Sequence, residues 1–319
     1  MSQSYLALPP TSIRMSIGVT AALPLLTGSL LSMFLFGALL VQVYAYHTCF
    51  PKDSSVIKGI VLFVFLASTV DRCLNISDVF YWFASSFGDV AGLSHRRYSR
   101  FYAAIMGSLV STIVRLFFAY RIFVIRRTAW PLCILIALIA LAHMAGGFTG
   151  GILAFIEDST SKTFNPDDII NIHDHPHIIT SYVWLICGVL ADILIALSMT
   201  ILLLRTMVDD TTRNAVNQFI RLVLETNICS AVFTLTTLVL YAALPPSNLA
   251  CTIPAFALPT LYANTLLVIL NNRGILLRAR ANKQRRMSVL VEQTRETFTD
   301  TDTMTLARDS TASYAGRSH

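Results

Sequence analysis

Asp71, Asn75, Arg115, His143 and Asp192 lie inside long apolar runs, where ionisable and amide groups are scarce. At the centre of a bilayer a charged side chain costs about 2.5–3.5 kcal/mol on insertion scales, so such groups pair with one another, face a cavity or line a pathway. Ser68, Asp71, Asn75 and Asp78 follow one another at intervals of 3, 4 and 3, which places them on one face of a helix. Ser108, Ser111, Thr112 and Arg115 make a second stripe of the same kind. With a rise of about 1.5 Å per residue, Asp71, Arg115, His143 and Asp192 fall about 15–21 Å from the ends of their segments, at one level. Three chemistries suit that arrangement. Arg115 pairs with Asp71, Asp192 or both and sets helix register; or the groups line a pocket for a ligand or ion; or His143 relays protons.

Other constellations say less. His173, His175 and His177 alternate in His173-Asp174-His175-Pro176-His177, so an extended chain would point all three imidazoles one way, toward Zn²⁺ or Cu²⁺. With no separate anchoring ligand, the ordinary reading is a solvated acidic loop, and neither a metal nor a cofactor is expected. The six cysteines show no paired spacing and fit the role of small buried hydrophobes. Gly146, Gly147, Gly150 and Gly151 form two overlapping small-xxx-small patterns, suited to close helix packing within the chain or, alternatively, to a homodimer face. Arg285-Arg286-Met287-Ser288 matches a basophilic kinase site, so Ser288 is a phosphorylation candidate. No nucleophile–base pair is legible, so the chain is not expected to be an enzyme.

The elements that must position these groups follow from hydropathy. Of 319 residues 55% are hydrophobic and only 13% charged, which excludes a disordered chain, a coiled coil and an ordinary soluble enzyme. The mean hydropathy of +0.63 points the same way. Seven segments are near the roughly 20 residues that a span requires: Val19–Tyr46, Val56–Phe83, Phe101–Ile125, Trp130–Ile156, Ile179–Leu204, Phe219–Leu244 and Leu249–Asn271. Asp71, Arg72, Asn75 and Asp78 interrupt the second. The expected fold is all-α, an integral membrane bundle of seven transmembrane helices joined by short loops.

One alternate set of loops, with the tail, carries fourteen Lys and Arg and the other set five, which places the N-terminus outside the cell and the C-terminus in the cytoplasm. Arg96, Arg97 and Arg100 oppose that bias. The domain reading is a short extracellular segment over 1–18, a seven-helix domain over 19–271 and a cytoplasmic tail over 272–319, basic and then Ser/Thr-rich and disordered. The net charge of +6 is explained by membrane orientation, not nucleic acid, and six basic residues over Arg273–Arg286 suit an anionic lipid surface.

Two motifs carry a family resemblance. The first span reads Leu35-Phe36-Gly37-Ala38-Leu39-Leu40-Val41-Gln42-Val43-Tyr44-Ala45-Tyr46 and exits through Phe50-Pro51-Lys52-Asp53-Ser54. The last reads Leu261-Tyr262-Ala263-Asn264-Thr265-Leu266-Leu267, then Leu270-Asn271-Asn272-Arg273. Over roughly residues 20–280 the chain resembles a large fungal, mainly basidiomycete, group of seven-helix membrane proteins, domain of unknown function 6534. The resemblance implies a seven-helix bundle with an extracellular N-terminus and brings no activity, ligand or catalytic residue with it.

The functional expectation is a multi-pass protein of the plasma membrane or another secretory-pathway membrane. Its first reading is a receptor-like or sensory protein with a cytoplasmic signalling partner. A small-solute or proton-coupled transporter and a structural scaffold are the alternatives. Against the rhodopsin-like receptors, Leu258 precedes Pro259 where their motif has Asn; the seventh span also has no Lys for a retinal Schiff base. A tag on the N-terminus is expected to be digested by protease added outside intact cells; protection of the tag would reverse the orientation.

Overall fold

A computed structural model describes residues 11–85, 99–160, 176–205, 213–244, 248–274 and 288. The described residues form seven long helices and no strand. They are α1 (Thr11–Cys49), α2 (Ser55–Phe80), α3 (Ser99–Ile125), α4 (Trp130–Thr160), α5 (Pro176–Arg205), α6 (Arg213–Ala243) and α7 (Thr252–Gly274). A π-helical turn, Tyr81–Ser85, follows α2, and a 3₁₀ turn, Arg127–Ala129, precedes α4. The first helix begins at Thr11, earlier than hydropathy places it, because polar residues ahead of the apolar run can still be helical. His173 and His175 lie outside the described residues, as do the His177 side chain and the tail apart from 272–274 and Ser288, which is exposed.

Six helices, all but α2, contain a stretch long and apolar enough to cross a bilayer. Large apolar side chains are exposed along α1 to α6, among them Phe34, Leu66, Tyr120, Leu138, Leu197 and Val239. Such a sheath is untenable in water and is what hydrocarbon requires. The chain is a multi-pass membrane protein.

α2 carries its charged groups on its inward face. Its buried residues are Val61, Val64, Ala67, Ser68, Asp71, Arg72, Asn75 and Asp78, while Leu62, Phe63, Leu66, Val70, Leu74, Ile76 and Phe80 are exposed. Polar groups point in and apolar groups point out, the reverse of a helix on a water-soluble core.

α2 also runs the length of α1. At one end the Tyr46 hydroxyl donates to Asp53 Oδ2 at 2.8 Å and Lys58 Nζ to the Pro51 carbonyl at 2.6 Å, which fastens the α1–α2 turn. In the middle Phe36 stacks on Phe65. At the far end Leu25 joins Trp82, Leu249 and Phe256 in one buried cluster.

α7 is the central helix. Over its membrane-length stretch 83% of residues are buried, against 22–50% for the five other such stretches. Asn264 Nδ2 donates to the Leu35 carbonyl and Asn271 Nδ2 to the Gln42 carbonyl, each at 2.9 Å. Both partners advance by seven residues, so α7 runs parallel to α1. Gly28 permits their contact: a Cβ there would lie 3.0 Å from the Thr252 carbonyl oxygen.

Spatial contacts divide the chain into two units. The first, residues 1–206 and 220–271, holds everything described above and the site below; the second, 207–219 and 272–319, is described at 213–219, 272–274 and 288 as helix ends and one exposed residue.

The α4 glycines are used inside the chain. A Cβ on Gly146 would lie 3.0 Å from the Trp184 backbone nitrogen, and one on Gly150 3.0 Å from Thr180 Oγ1, both on α5. On the other side Gly147 and Gly151 meet α3 at Ser108, Ala104 and Phe101. This stripe is filled by the chain's own helices. Gly147→Val, whose Cβ would stand 2.6 Å from Ser108 Cβ, is expected to cost about 1–3 kcal/mol. Gly37→Ala, with nothing within 4 Å, is expected to cause no loss. Thermal unfolding of the detergent-solubilised variants checks both.

Candidate functional site

The centre of the site is Arg115 of α3, which is 1% exposed. Its Nε donates to Asp192 Oδ1 on α5 at 2.9 Å and its Nη2 to Oδ2 at 3.2 Å, a bidentate fork. The same Nη2 lies 3.3 Å from the Gly188 carbonyl and 2.7 Å from the Tyr262 hydroxyl of α7. Tyr262 in turn donates to Asp192 Oδ2 at 2.5 Å, and the guanidinium carbon stands 4.9 Å from the Tyr262 ring centre. Thr234 of α6 brings its Oγ1 to 2.9 Å from Asp192 Oδ2 and 2.8 Å from the Tyr262 hydroxyl. One ion pair thus ties four helices together. Each charge in it has a partner of opposite sign.

His143 of α4 adjoins this network. Its Nδ1 lies 2.7 Å from the Trp184 carbonyl, which can only accept, so Nδ1 carries a proton. Its Nε2 is 2.9 Å from Ser111 Oγ. Thr112 Oγ1 donates to the Ala140 carbonyl at 3.2 Å and fastens α3 to α4 beside it. Gly188 makes the approach possible: a Cβ there would lie 3.1 Å from His143 Nδ1 and 3.3 Å from Arg115 Nη2.

Asp71 and Asn75 belong to a second cluster. Asp71 pairs with Arg72, its neighbour on α2, and Arg72 Nη2 also donates to the Phe256 carbonyl of α7 at 3.2 Å. Arg115 takes Asp192, not Asp71. Residues adjacent in a helix point away from one another, so spacing alone favours distant partners for Asp71 over Arg72; the long arginine side chain curls back. Around this pair, Ser68, Asn75, Arg72 and Tyr102 are all buried, at 0–3% exposure. Ser68 Oγ and Arg72 Nε and Nη1 have no hydrogen-bond partner, whereas the Tyr102 hydroxyl lies against Asn75 and Asp78.

The five polar residues singled out from sequence therefore divide between two places, Arg115, Asp192 and His143 in one and Asp71 and Asn75 in the other. Tyr262, Thr234, Gly188, Trp184 and Tyr102 complete the two clusters without having been singled out. For Gly188 a signal was present: it precedes Asp192 by four residues and shares its face. Thr234 had none beyond being polar in an apolar run, whereas Tyr262 stands in the last-span motif that carries the family resemblance. The described residues hold no group of three or more His, Cys, Asp or Glu placed to bind a metal ion. The cysteines are free thiols.

Residues 188–275 match a family of unknown function, DUF6534, the family that the two end motifs resemble. The matched stretch contains Gly188, Asp192, Thr234 and Tyr262 and leaves out Arg115 and His143 on α3 and α4. No curated protein and no solved structure matches the chain.

Breaking the central pair leaves an uncompensated charge in a dry place. Arg115→Gln and Asp192→Asn are each expected to cost about 3–5 kcal/mol. Tyr262→Phe, which removes the hydroxyl that accepts from Arg115 and donates to Asp192, should cost at least about 1.5–3 kcal/mol. Exchanging both charges, Arg115→Asp with Asp192→Arg, should recover part of the loss, whereas Arg115→Asp with Asp71→Arg should recover none. Thermal unfolding in detergent reads all five.

Proposed function

We propose that the chain is a seven-span membrane protein, N-terminus outside and C-terminus in the cytoplasm, that works as a receptor-like or sensory protein. Three observations support seven spans. α1 and α7 run parallel, which in an alternating bundle requires an even number of crossings from one to the other, and so requires α2 to cross. α2 has 26 residues, about 39 Å at 1.5 Å per residue, enough for a hydrocarbon core of about 30 Å. Where its buried face is charged, its exposed face presents Leu74, Ile76 and Phe80, with Ser77 as the polar exception. The loop excess of Lys and Arg supports the orientation.

The receptor reading rests on the unpartnered groups of Ser68 and Arg72. A cluster kept only for architecture satisfies its own polar atoms, since each buried orphan costs about 1–3 kcal/mol. Here the free donors on Arg72 suit a small uncharged ligand bearing oxygen acceptors, since Asp71 already neutralises Arg72 and Asp78 is buried beside them. In this reading the Arg115–Asp192–Tyr262 network is the element whose two arrangements a ligand would bias. The ligand-facing cluster reaches it through α7, which carries both the Phe256 carbonyl and Tyr262. The basic segment Arg273–Arg286 would rest on anionic lipid, and the tail beyond it would meet a cytoplasmic partner, with Ser288 open to phosphorylation.

A transporter is the second reading, favoured by the polar stripe Tyr102, Ser108, Ser111, Thr112 and Arg115, which runs along α3 between the two clusters.

A screen of small uncharged oxygen-bearing solutes by thermal shift on the detergent-purified protein tests the proposal. A ligand present at about 100 times its Kd should stabilise the protein by about 2.7 kcal/mol. Asn75→Leu and Arg72→Gln should abolish the shift, whereas Tyr262→Phe should lower the baseline and keep it. Flux of the same compounds into proteoliposomes would replace the receptor with a transporter. Neither shift nor flux would leave the cluster a structural one.

A further inference from the structure

Beside the central ion pair, on the side toward the start of α6 and the end of α7, lies a small cavity that borders Arg115, Asn227, Ser230, Tyr262 and Thr265. It leaves about 10 Å³ for the centre of a water-sized sphere, room for about one water. Two donors on its wall have no partner: Arg115 Nη1 and Asn227 Nδ2. Both residues are buried, at 1% and 4% exposure. Two acceptors stand on the same wall. Thr265 Oγ1 spends its proton on the Leu261 carbonyl at 2.9 Å, and Ser230 Oγ spends its proton on the Asn227 carbonyl at 2.9 Å, so each keeps lone pairs to offer.

We propose that this cavity is a binding site for a single structural water, which accepts from Arg115 Nη1 and Asn227 Nδ2 and donates to Thr265 Oγ1 and Ser230 Oγ. The inventory suits a water: its two lone pairs meet the two donors, and its two protons have the Thr265 and Ser230 hydroxyl oxygens to go to, with the Asp192 carboxylate, already held by Arg115, Tyr262 and Thr234, as a third acceptor on the wall. It fits no ion. Asp192 already neutralises Arg115, so an anion would add a net charge at membrane depth. The free N–H groups repel a cation. With the water in place, Asn227 of α6 becomes a further anchor of the guanidinium. The fork then holds α5 through its Nε and Nη2 edge and α6 through Nη1. This goes beyond the receptor reading and does not depend on it.

X-ray radiolytic footprinting of the full chain in lipid nanodiscs tests the site, because radicals formed at a bound water mark the side chains that touch it. Tyr262 and Phe118, both buried and both on the cavity wall, are expected to be oxidised in the unmodified protein. Labelling at both should fall at least three-fold in Asn227→Leu, which removes a donor and fills the space. Thr265→Val, which removes an acceptor with little change of volume, should act in the same direction and serves if the leucine variant does not fold. Absence of labelling in the unmodified protein, or equal labelling in the variants, would overturn the proposal. So would labelling that disappears as chloride is raised, which would mean that the cavity takes an anion.

Discussion

The bundle depends on a buried guanidinium that must not be left alone. Arg115 is held by Asp192 on α5 and Tyr262 on α7, with Thr234 of α6 closing the ring from the side. In hydrocarbon there is no gradient of hydrophobicity between one helix and the next, so packing and polar contacts decide which helices meet. A network that draws in groups from three other helices constrains which helices meet and their register at once. The glycines serve the same end. Gly188 lets His143 and Arg115 reach α5, and the α4 stripe brings α3 and α5 close enough for the fork to close.

α7 is the axis on which both polar clusters are hung. It is the most buried helix, it lies parallel to α1 through Asn264 and Asn271, and it offers a backbone carbonyl to Arg72 and a hydroxyl to Arg115. The two motifs that carry the family resemblance acquire physical roles here. Tyr46 and Asp53 fasten the α1–α2 turn, and the two asparagines stitch the last helix to the first. The two clusters differ in kind. Around Arg115 nearly every polar atom is engaged, as a structural joint requires. Around Arg72 several are not, and that surplus is what a ligand could use.

Much of this was legible from residue types. Long apolar runs separated by breakers and charges locate the helices to within a few residues at most ends, since backbone groups in lipid must bond within their own segment. The 3-4-3 spacing of Ser68, Asp71, Asn75 and Asp78 identifies one buried face of α2 correctly, because helical periodicity does not depend on what covers the face. Partner choice was not legible. Depth estimates put Asp71 and Asp192 equally within reach of Arg115, and depth carries no information on which helices are neighbours. Tyr262, Thr234 and Tyr102 escaped for a related reason: a hydroxyl in an apolar run is common, and it becomes part of a site only when another helix brings a charge to it.

By itself the sequence determined the solvent and the elements: a chain for lipid, helical throughout its apolar runs, with scarce charge held at a few inward positions. Those properties are local, set by transfer free energy and by the period of one helix. Tertiary structure alone decided that Arg115 takes Asp192 and leaves Asp71 to Arg72, that the α4 glycines are consumed between α3 and α5, and that α7 lies at the centre. Each of these is a choice between partners far apart in the chain, and it is made by the simultaneous packing of several helices, which no single segment encodes.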